Sequence, residues 1–180
     1  SVQFSVEQNH CFYRVDSEEG PYNSGADYPR GNLGHRPAPK GGYFPAPPID
    51  HSNAICNEML NVLHDIGVHV EKLHHKVAPS QHELGIRYEP LTRAADTIQI
   101  YKYVVHMVAE KNGKTATFMP KPIMNDNGSG MHTHQSIWKD GKPAFAGDQY
   151  AGLSEDALFY IGGIIKHARA INAFTNSTTN

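Results

Sequence analysis

Cysteine is scarce: only Cys11 and Cys56 occur in 180 residues, far apart and outside any CxxC pair. That leaves no disulfide framework, and a reduced, cytoplasmic setting is expected over a lone disulfide. Long apolar runs are missing too. None approaches the ~20 residues that cross a bilayer, and no signal-peptide pattern opens the chain, so no membrane partner is expected. Charge of one sign is also lacking. Sixteen Lys and Arg against eighteen Asp and Glu leave a net charge of −2, with no electrostatic reason to expect a nucleic-acid partner. Absent as well are HExxH, GxxxxGK[ST] and GxSxG, which removes a zinc peptidase, a P-loop and a serine hydrolase. The sequence lacks an initial methionine and stops at NAFTNSTTN directly after an apparent helix, and so reads as a piece of something longer.

What is present is a chain long enough to bury a core, with twelve histidines clustered at 71–82 and 132–134. Glycine, proline and asparagine crowd Glu19–Asp50, which forbids long helices. Tyr22, Tyr28, Tyr43 and Phe44 provide anchors for an ordered surface loop there. Three helices follow from apolar spacing. The first has Ser52 as cap, Ile55, Met59, Val62, Leu63 and Ile66 as its stripe, and Gly67 as its end. In the second, Thr92 precedes Ala95, Ile98, Tyr101, Val105 and Val108, with Gly113 past the end. The third starts at Ser154 with Glu155 and Asp156 in its first turn, and Leu158, Ile161, Ile165 and Ala168 are expected to face inward. VHVEKLHHKVA and HELGIRYEP read as a strand pair turned at Pro79–Gln81, and KTATFMP and MHTHQSIW as further strands. Helices interleaved with paired strands give an α+β class.

Two stretches carry chemistry. In EKLHHKVAPSQHEL, three histidines and two glutamates surround Lys76, a fixed positive charge where a cation is otherwise expected. In NDNGSGMHTHQSIW, Asn127, Gly128 and Gly130 permit a backbone anion-binding nest. A strand after it puts His132, His134 and Ser136 on one face. Glu83 is a second candidate ligand, and a mixed Glu/His site suits Mg²⁺ or Mn²⁺. Pattern alone leads to a metal and phosphate site of open purpose.

KTATFMPKP, NDNGSGMHTHQSIW, KGGYFPAPPID, HHKVAPSQHE and ADTIQIYKYVV together resemble glutamine synthetase of the bacterial type I group, across essentially the whole chain. The resemblance implies a partial catalytic domain, residues 1–180, forming part of a curved antiparallel sheet backed by helices in a half-barrel. By the same resemblance, the small N-terminal domain and the C-terminal part of the catalytic domain lie outside it. The implied activity is ATP-dependent ligation of L-glutamate and ammonia through a γ-glutamyl phosphate, with two Mg²⁺ or Mn²⁺ ions per site, in a homo-oligomeric ring, a dodecamer. Position by position, it places Glu83 and His132 at metal ligands. Glu71, Ile86, Arg87, Tyr88, His134, Gln135 and Ser136 fall at ATP-binding positions, and Asn127 and Gly128 at the glutamate-binding stretch. No catalytic side chain is assigned in this segment, and the segment alone is expected to be inactive. Two alternatives share these motifs: a γ-glutamyl ligase acting on a larger amine such as a polyamine, and a non-catalytic homologue.

Lys76 departs from the family, which has glutamate there, on the same ion as Glu83. At ~4 Å and an effective dielectric of ~20, unit charges interact by about 4 kcal/mol, so a doubly charged ion meets roughly twice that in repulsion from an ammonium. Weakened or lost metal binding at this position is therefore expected. Ser177, where the family has proline, is a milder departure.

Overall fold

A computed structural model describes the backbone of residues 2–8 and, with side chains, residues 37, 40–50, 52–122 and 125–176. Cys11, Tyr22, Tyr28, Ser177 and most of the Glu19–Asp50 loop lie outside the described residues. The chain divides into two units, Ser1–His132 and Thr133–Asn180.

The first unit is a four-stranded antiparallel sheet carrying two helices. Its elements are β1 (Val2–Gln8), α1 (Asn53–Asp65), β2 (Val70–His75), β3 (Gln81–Ile86), α2 (Leu91–Lys111) and β4 (Lys114–Thr117). The strand order is β2-β3-β1-β4. β1, an alternating apolar–polar run (VQFSVEQ) outside the strands expected above, fills the centre by pairing antiparallel with both β3 and β4. The expected β2–β3 pair forms with Leu73 opposite Leu84, His74 opposite Glu83 and His75 opposite His82. Both helices pack on the sheet and on each other. Ile55, Cys56, Met59 and Leu63 of α1 meet Tyr101, Val104, Val105 and Val108 of α2 in one core that also takes Leu84 and Ala116. At the end of α2, Lys111 Nζ reaches Glu58 Oε1 in the middle of α1 (2.5 Å) and Asn112 Nδ2 donates to Glu58 Oε2 (2.9 Å). Cys56 is buried, and burial, helped by the nearby Asp50 charge, pushes its thiol pKa up to about 12. A thiol held that far from ionisation is an apolar core group and not a nucleophile.

The helix signals succeed in position and fail in detail. Gly67 and Gly113, at φ of 85° and 66°, end α1 and α2 as expected. Ser52 occupies the N-cap position of α1, but its backbone N–H and its hydroxyl both go back to Asp50 Oδ1 (3.2 and 2.9 Å), so it does not cap. α2 starts before Thr92, because the Pro90 carbonyl already accepts from Ala94 N (2.8 Å). Ala95 and Ile66, placed on the inner stripes by spacing, are exposed, whereas Thr97 and Val104 are buried.

In the second unit, β5 (Trp138–Lys139) and β6 (Lys142–Pro143) form a two-residue hairpin through Asp140 and Gly141, both with positive φ (51° and 74°). That is the Asp-Gly turn whose twist suits paired strands. α3 (Glu155–Lys166) has the expected cap: Ala157 N donates to Ser154 Oγ (3.1 Å). It breaks at His167, and α4 (Ala168–Thr175) follows.

Two expectations are corrected here. MHTHQSIW does not form a continuous strand: among the described residues, 132–137 have no ladder and only Trp138 joins one. A strand needs a neighbour to take its backbone groups, which alternation in the sequence cannot supply. The α3 stripe does not face inward either. Leu158, Ile161 and Ile165 are 36, 42 and 72% exposed, and Ala157 is the buried residue of that helix. Helical period tells which residues share a face, and burial requires a surface opposite that face.

Replacing Met59, fully buried, by alanine should lower unfolding stability by about 2–5 kcal/mol. Ile66→Ala, at a half-exposed position, should cost less than about 0.5 kcal/mol. Urea unfolding followed by circular dichroism checks both.

Candidate functional site

The β2–β3 hairpin builds the site because paired residues on antiparallel strands share a face. Leu73 and Leu84 point into the core, so their neighbours His74 and Glu83 point away from it. The next pair, His75 and His82, returns to the core side, where their rings meet edge-on at 4.5 Å between centroids. His75 also braces the turn, with Nδ1 2.7 Å from the Lys76 carbonyl and Nε2 3.0 Å from that of Pro79. Lys76 follows on the outer face, its N–H donating to the Gln81 carbonyl (2.7 Å).

Three charged or titratable side chains converge there. Lys76 Nζ lies 3.3 Å from Glu83 Oε2, and His74 Nε2 lies 3.8 Å from the same oxygen. The Glu83 side chain is only 7% exposed and that of Lys76 23%. A carboxylate so far out of water needs a positive partner, and Lys76 supplies it. Burial pulls the His74 pKa below its ordinary value; Glu83 opposes the shift, and Lys76, Lys72 and His75 add to it.

A roof of aromatic rings covers this face. Gly42 N donates to the Val77 carbonyl (2.9 Å) and Phe44 N to that of His75 (3.4 Å), laying GGYF along the end of β2. A side chain at Gly42 would put Cβ 2.5 Å from the Lys76 carbonyl oxygen, so only glycine allows the approach. Phe44 then stacks on His74 (4.9 Å, 13° between planes), and the Lys76 ammonium sits over the Tyr43 ring, 5.7 Å from its centroid. Of the aromatic anchors expected in the loop, Tyr43 and Phe44 thus make such contacts.

The glycine-rich loop reaches the same hairpin. Gln81 Nε2 donates to the Gly128 carbonyl (2.8 Å) and to Ser129 Oγ (3.1 Å), while Gln81 Oε1 accepts from Ala78 N (3.4 Å). Ser129 N donates to the Pro120 carbonyl (2.8 Å) and Asn127 N to Asp126 Oδ1 (2.7 Å); Lys121 Nζ holds the Asp126 carbonyl. The nest expectation is corrected in its cause. Left-handed backbone falls on Asn125 (φ 65°) and not on Asn127, Gly128 or Gly130. Gly128 is required because a Cβ would stand 2.7 Å from the Pro120 carbonyl oxygen.

The remaining sequence candidates are more dispersed. Glu71 is exposed at the bulge between Val70 and Lys72. Ile86 ends β3 half-buried, and Arg87 and Tyr88 follow it exposed, the guanidinium 5.8 Å from the Tyr88 ring centroid. His132 closes the first unit and is exposed. His134, Gln135 and Ser136 belong to the second unit, where Tyr160 donates to Gln135 Oε1 and Trp138 Nε1 donates to Ser136 Oγ (3.1 Å). His74, Gln81, Tyr43 and Phe44 were not singled out as site residues by sequence. Counting pairs outward from the hairpin turn would have flagged His74 and Gln81; nothing local predicts the docking of GGYF.

Among the described residues, no group of three or more His, Cys, Asp or Glu side chains stands close enough to hold an ion. At Glu83 the third neighbour is an ammonium. The residues present do not fit a divalent ion there.

The whole chain, residues 1–180, matches the family model described as "Glutamine synthetase, catalytic domain". The chain therefore belongs to the glutamine synthetase family and carries its catalytic-domain fold, of α+β class. It is 66% identical to the glutamine synthetase of Azospirillum brasilense and 63% identical to that of Rhizobium meliloti (strain 1021), in each case over 99% of this chain and 38% of the relative. It superposes on a cryo-EM structure of Plasmodium falciparum glutamine synthetase with a TM-score of 0.84 at 32% identity, covering 99% of this chain and 37% of the other. The chain thus spans 38% of the length of these curated relatives. No helix among the described residues is long and apolar enough to cross a membrane.

Two outcomes follow. Because the folded His74 pKa lies below the unfolded value, the unfolded chain takes up a proton first as pH falls; stability is full above about pH 6.5 and declines below it. His74→Phe, which keeps a ring on Phe44, should remove part of that decline in urea midpoints measured from pH 7.5 to 5. Gln81→Ala should cost about 1–3 kcal/mol by leaving its partners unsatisfied, and should speed amide hydrogen exchange at 127–130 before other loops.

Proposed function

We propose that this chain is the part of a glutamine synthetase that binds glutamate and nucleotide, and that the protein containing it joins L-glutamate to ammonia at the expense of ATP. The observation that carries the reading is the match along the whole chain to relatives named for this activity. In this reading the γ-phosphoryl group of ATP passes to the γ-carboxylate of glutamate, ammonia displaces phosphate from the acyl phosphate, and L-glutamine and inorganic phosphate leave.

The chain's own residues have definable parts. Asn127 and Gly128 hold glutamate on a loop that hydrogen bonds to Gln81, Pro120 and Lys121 fasten in place. Such preorganisation is where the gain of an enforced geometry comes from. By the family resemblance, nucleotide contact is assigned to Glu71, Ile86, Arg87 and Tyr88, and likewise to His134, Gln135 and Ser136. Divalent ions, Mg²⁺ or Mn²⁺, supply charge neutralisation on phosphoryl oxygens in reactions of this kind. His132 is the residue here that can ligate one. The Glu83 position, with the Lys76 ammonium beside it, does not fit a second. Assembly into a homo-oligomeric ring in the cytoplasm belongs to the same proposal.

The test replaces the matching stretch of the Azospirillum brasilense enzyme by this chain and measures glutamine formed from glutamate, ammonia and ATP. Activity at least tenfold below the parent is expected with Lys76 in place, and recovery toward it with Lys76→Glu. An assembled Lys76→Glu chimera that makes no glutamine overturns the ligase reading. A product formed with a polyamine in place of ammonia would point to the larger-amine ligase.

A further inference from the structure

We infer that the Lys76 ammonium is a built-in cation at Glu83: it fills the place of a divalent ion, holds the carboxylate without metal, and keeps metal out. The inference goes beyond the ligase reading and rests on it only for the identity of Glu83 as a ligand position.

Four observations support it. The Lys76–Glu83 pair is mostly buried, at 3.3 Å, so the carboxylate is already matched by a positive charge. The ammonium has a second electron-rich partner in the Tyr43 ring. Its backbone is held by the bond from Lys76 N to the Gln81 carbonyl, and Gly42 packs against the Lys76 carbonyl so closely that a Cβ would stand 2.5 Å from its oxygen. Beside Lys76, the titratable group that faces Glu83 Oε2 across the hairpin is His74, whose position adds no anionic ligand. A divalent ion approaching Glu83 therefore meets one carboxylate oxygen already engaged and a like charge beside it. Repulsion of that kind is strong in a partly dry site and is screened far less by salt than between exposed charges. Swinging Lys76 aside would break both its contacts and take its charge away from the buried Glu83 carboxylate. In Lys76→Glu, the same geometry would gather the introduced carboxylate, Glu83 and His74. Two carboxylates and an imidazole are a donor set that Mn²⁺ accepts.

The experiment uses the 180-residue chain and Mn²⁺ alone, so that its result is independent of catalysis. Free Mn²⁺ is counted by its room-temperature electron paramagnetic resonance signal during titration of the natural chain, Lys76→Glu and Lys76→Met. Thermal midpoints are read by circular dichroism with and without Mn²⁺. Lys76→Glu should take up one further Mn²⁺ at least about a hundredfold more tightly than the natural chain. Its midpoint should rise with Mn²⁺, and if it folds only when Mn²⁺ is added, that gain of structure reads the same result. The natural chain should show neither effect. Lys76→Met should gain no ion and should melt below the natural chain, because Glu83 loses the ammonium beside it. Equal Mn²⁺ uptake by the natural chain and Lys76→Glu overturns the inference, as does absence of any gain in Lys76→Glu. A Lys76→Met midpoint equal to that of the natural chain overturns the counter-ion role. None of these outcomes depends on whether the chimera makes glutamine, so failure here and failure of the ligase reading are separable.

Discussion

Antiparallel pairing of β2 with β3 sets His74 opposite Glu83 and His75 opposite His82, and the site's other contacts are hung on that register. Side chains alternate faces along a strand, so a slip of one residue would turn Glu83 into the apolar core and Leu84 out of it. The core prevents the slip. Leu84 is fully buried against Tyr101 and Met59, so the hydrophobic packing of the two helices on this sheet also holds the carboxylate outward. A catalytic-domain sheet that buries one face can in this way present charged groups on the other without strain in either.

Two glycines then allow loops to come against the hairpin. Gly42 lies on the Lys76 and Ala78 carbonyls, and Gly128 on that of Pro120, each at a distance no Cβ tolerates. The first approach brings Tyr43 and Phe44 over Lys76 and His74. The second lets Gln81 grip the loop at Gly128 and Ser129. One hairpin residue thus links the charged cluster to the glycine-rich loop at 126–130, through an amide that adds no charge of its own.

Much of this was legible in the residues. The strand pair around Pro79, the two helices on the sheet, the strand at Lys114–Thr117, the cap at Ser154 and the glycine helix ends all stood out because each depends on neighbours in sequence. Lys76 also stood out, as a cation among would-be ligands. The misses share a cause. Ser52 turned to Asp50, Thr92 was overtaken by Pro90, the α3 stripe met no covering surface among the described residues, and 132–137 found no ladder there. β1 was missed although VQFSVEQ alternates apolar and polar residues; its place at the centre of the sheet is set by its two partners.

Sequence by itself determined the family, the α+β class, the order of most elements and the presence of a lysine where the pattern calls for an acid. The class and the element order follow from short-range stereochemistry and apolar periodicity; the family, and the lysine's departure from it, come from the resemblance of whole motifs. Only the tertiary structure decided that Lys76 turns toward Glu83, that the Tyr43 ring lies under its ammonium, and that Gly128 serves a close approach and not a left-handed turn. Each of these joins groups that lie apart along the chain or on different strands. Distance and burial, which fix the strength and sign of an electrostatic contact, exist only once those strands are paired.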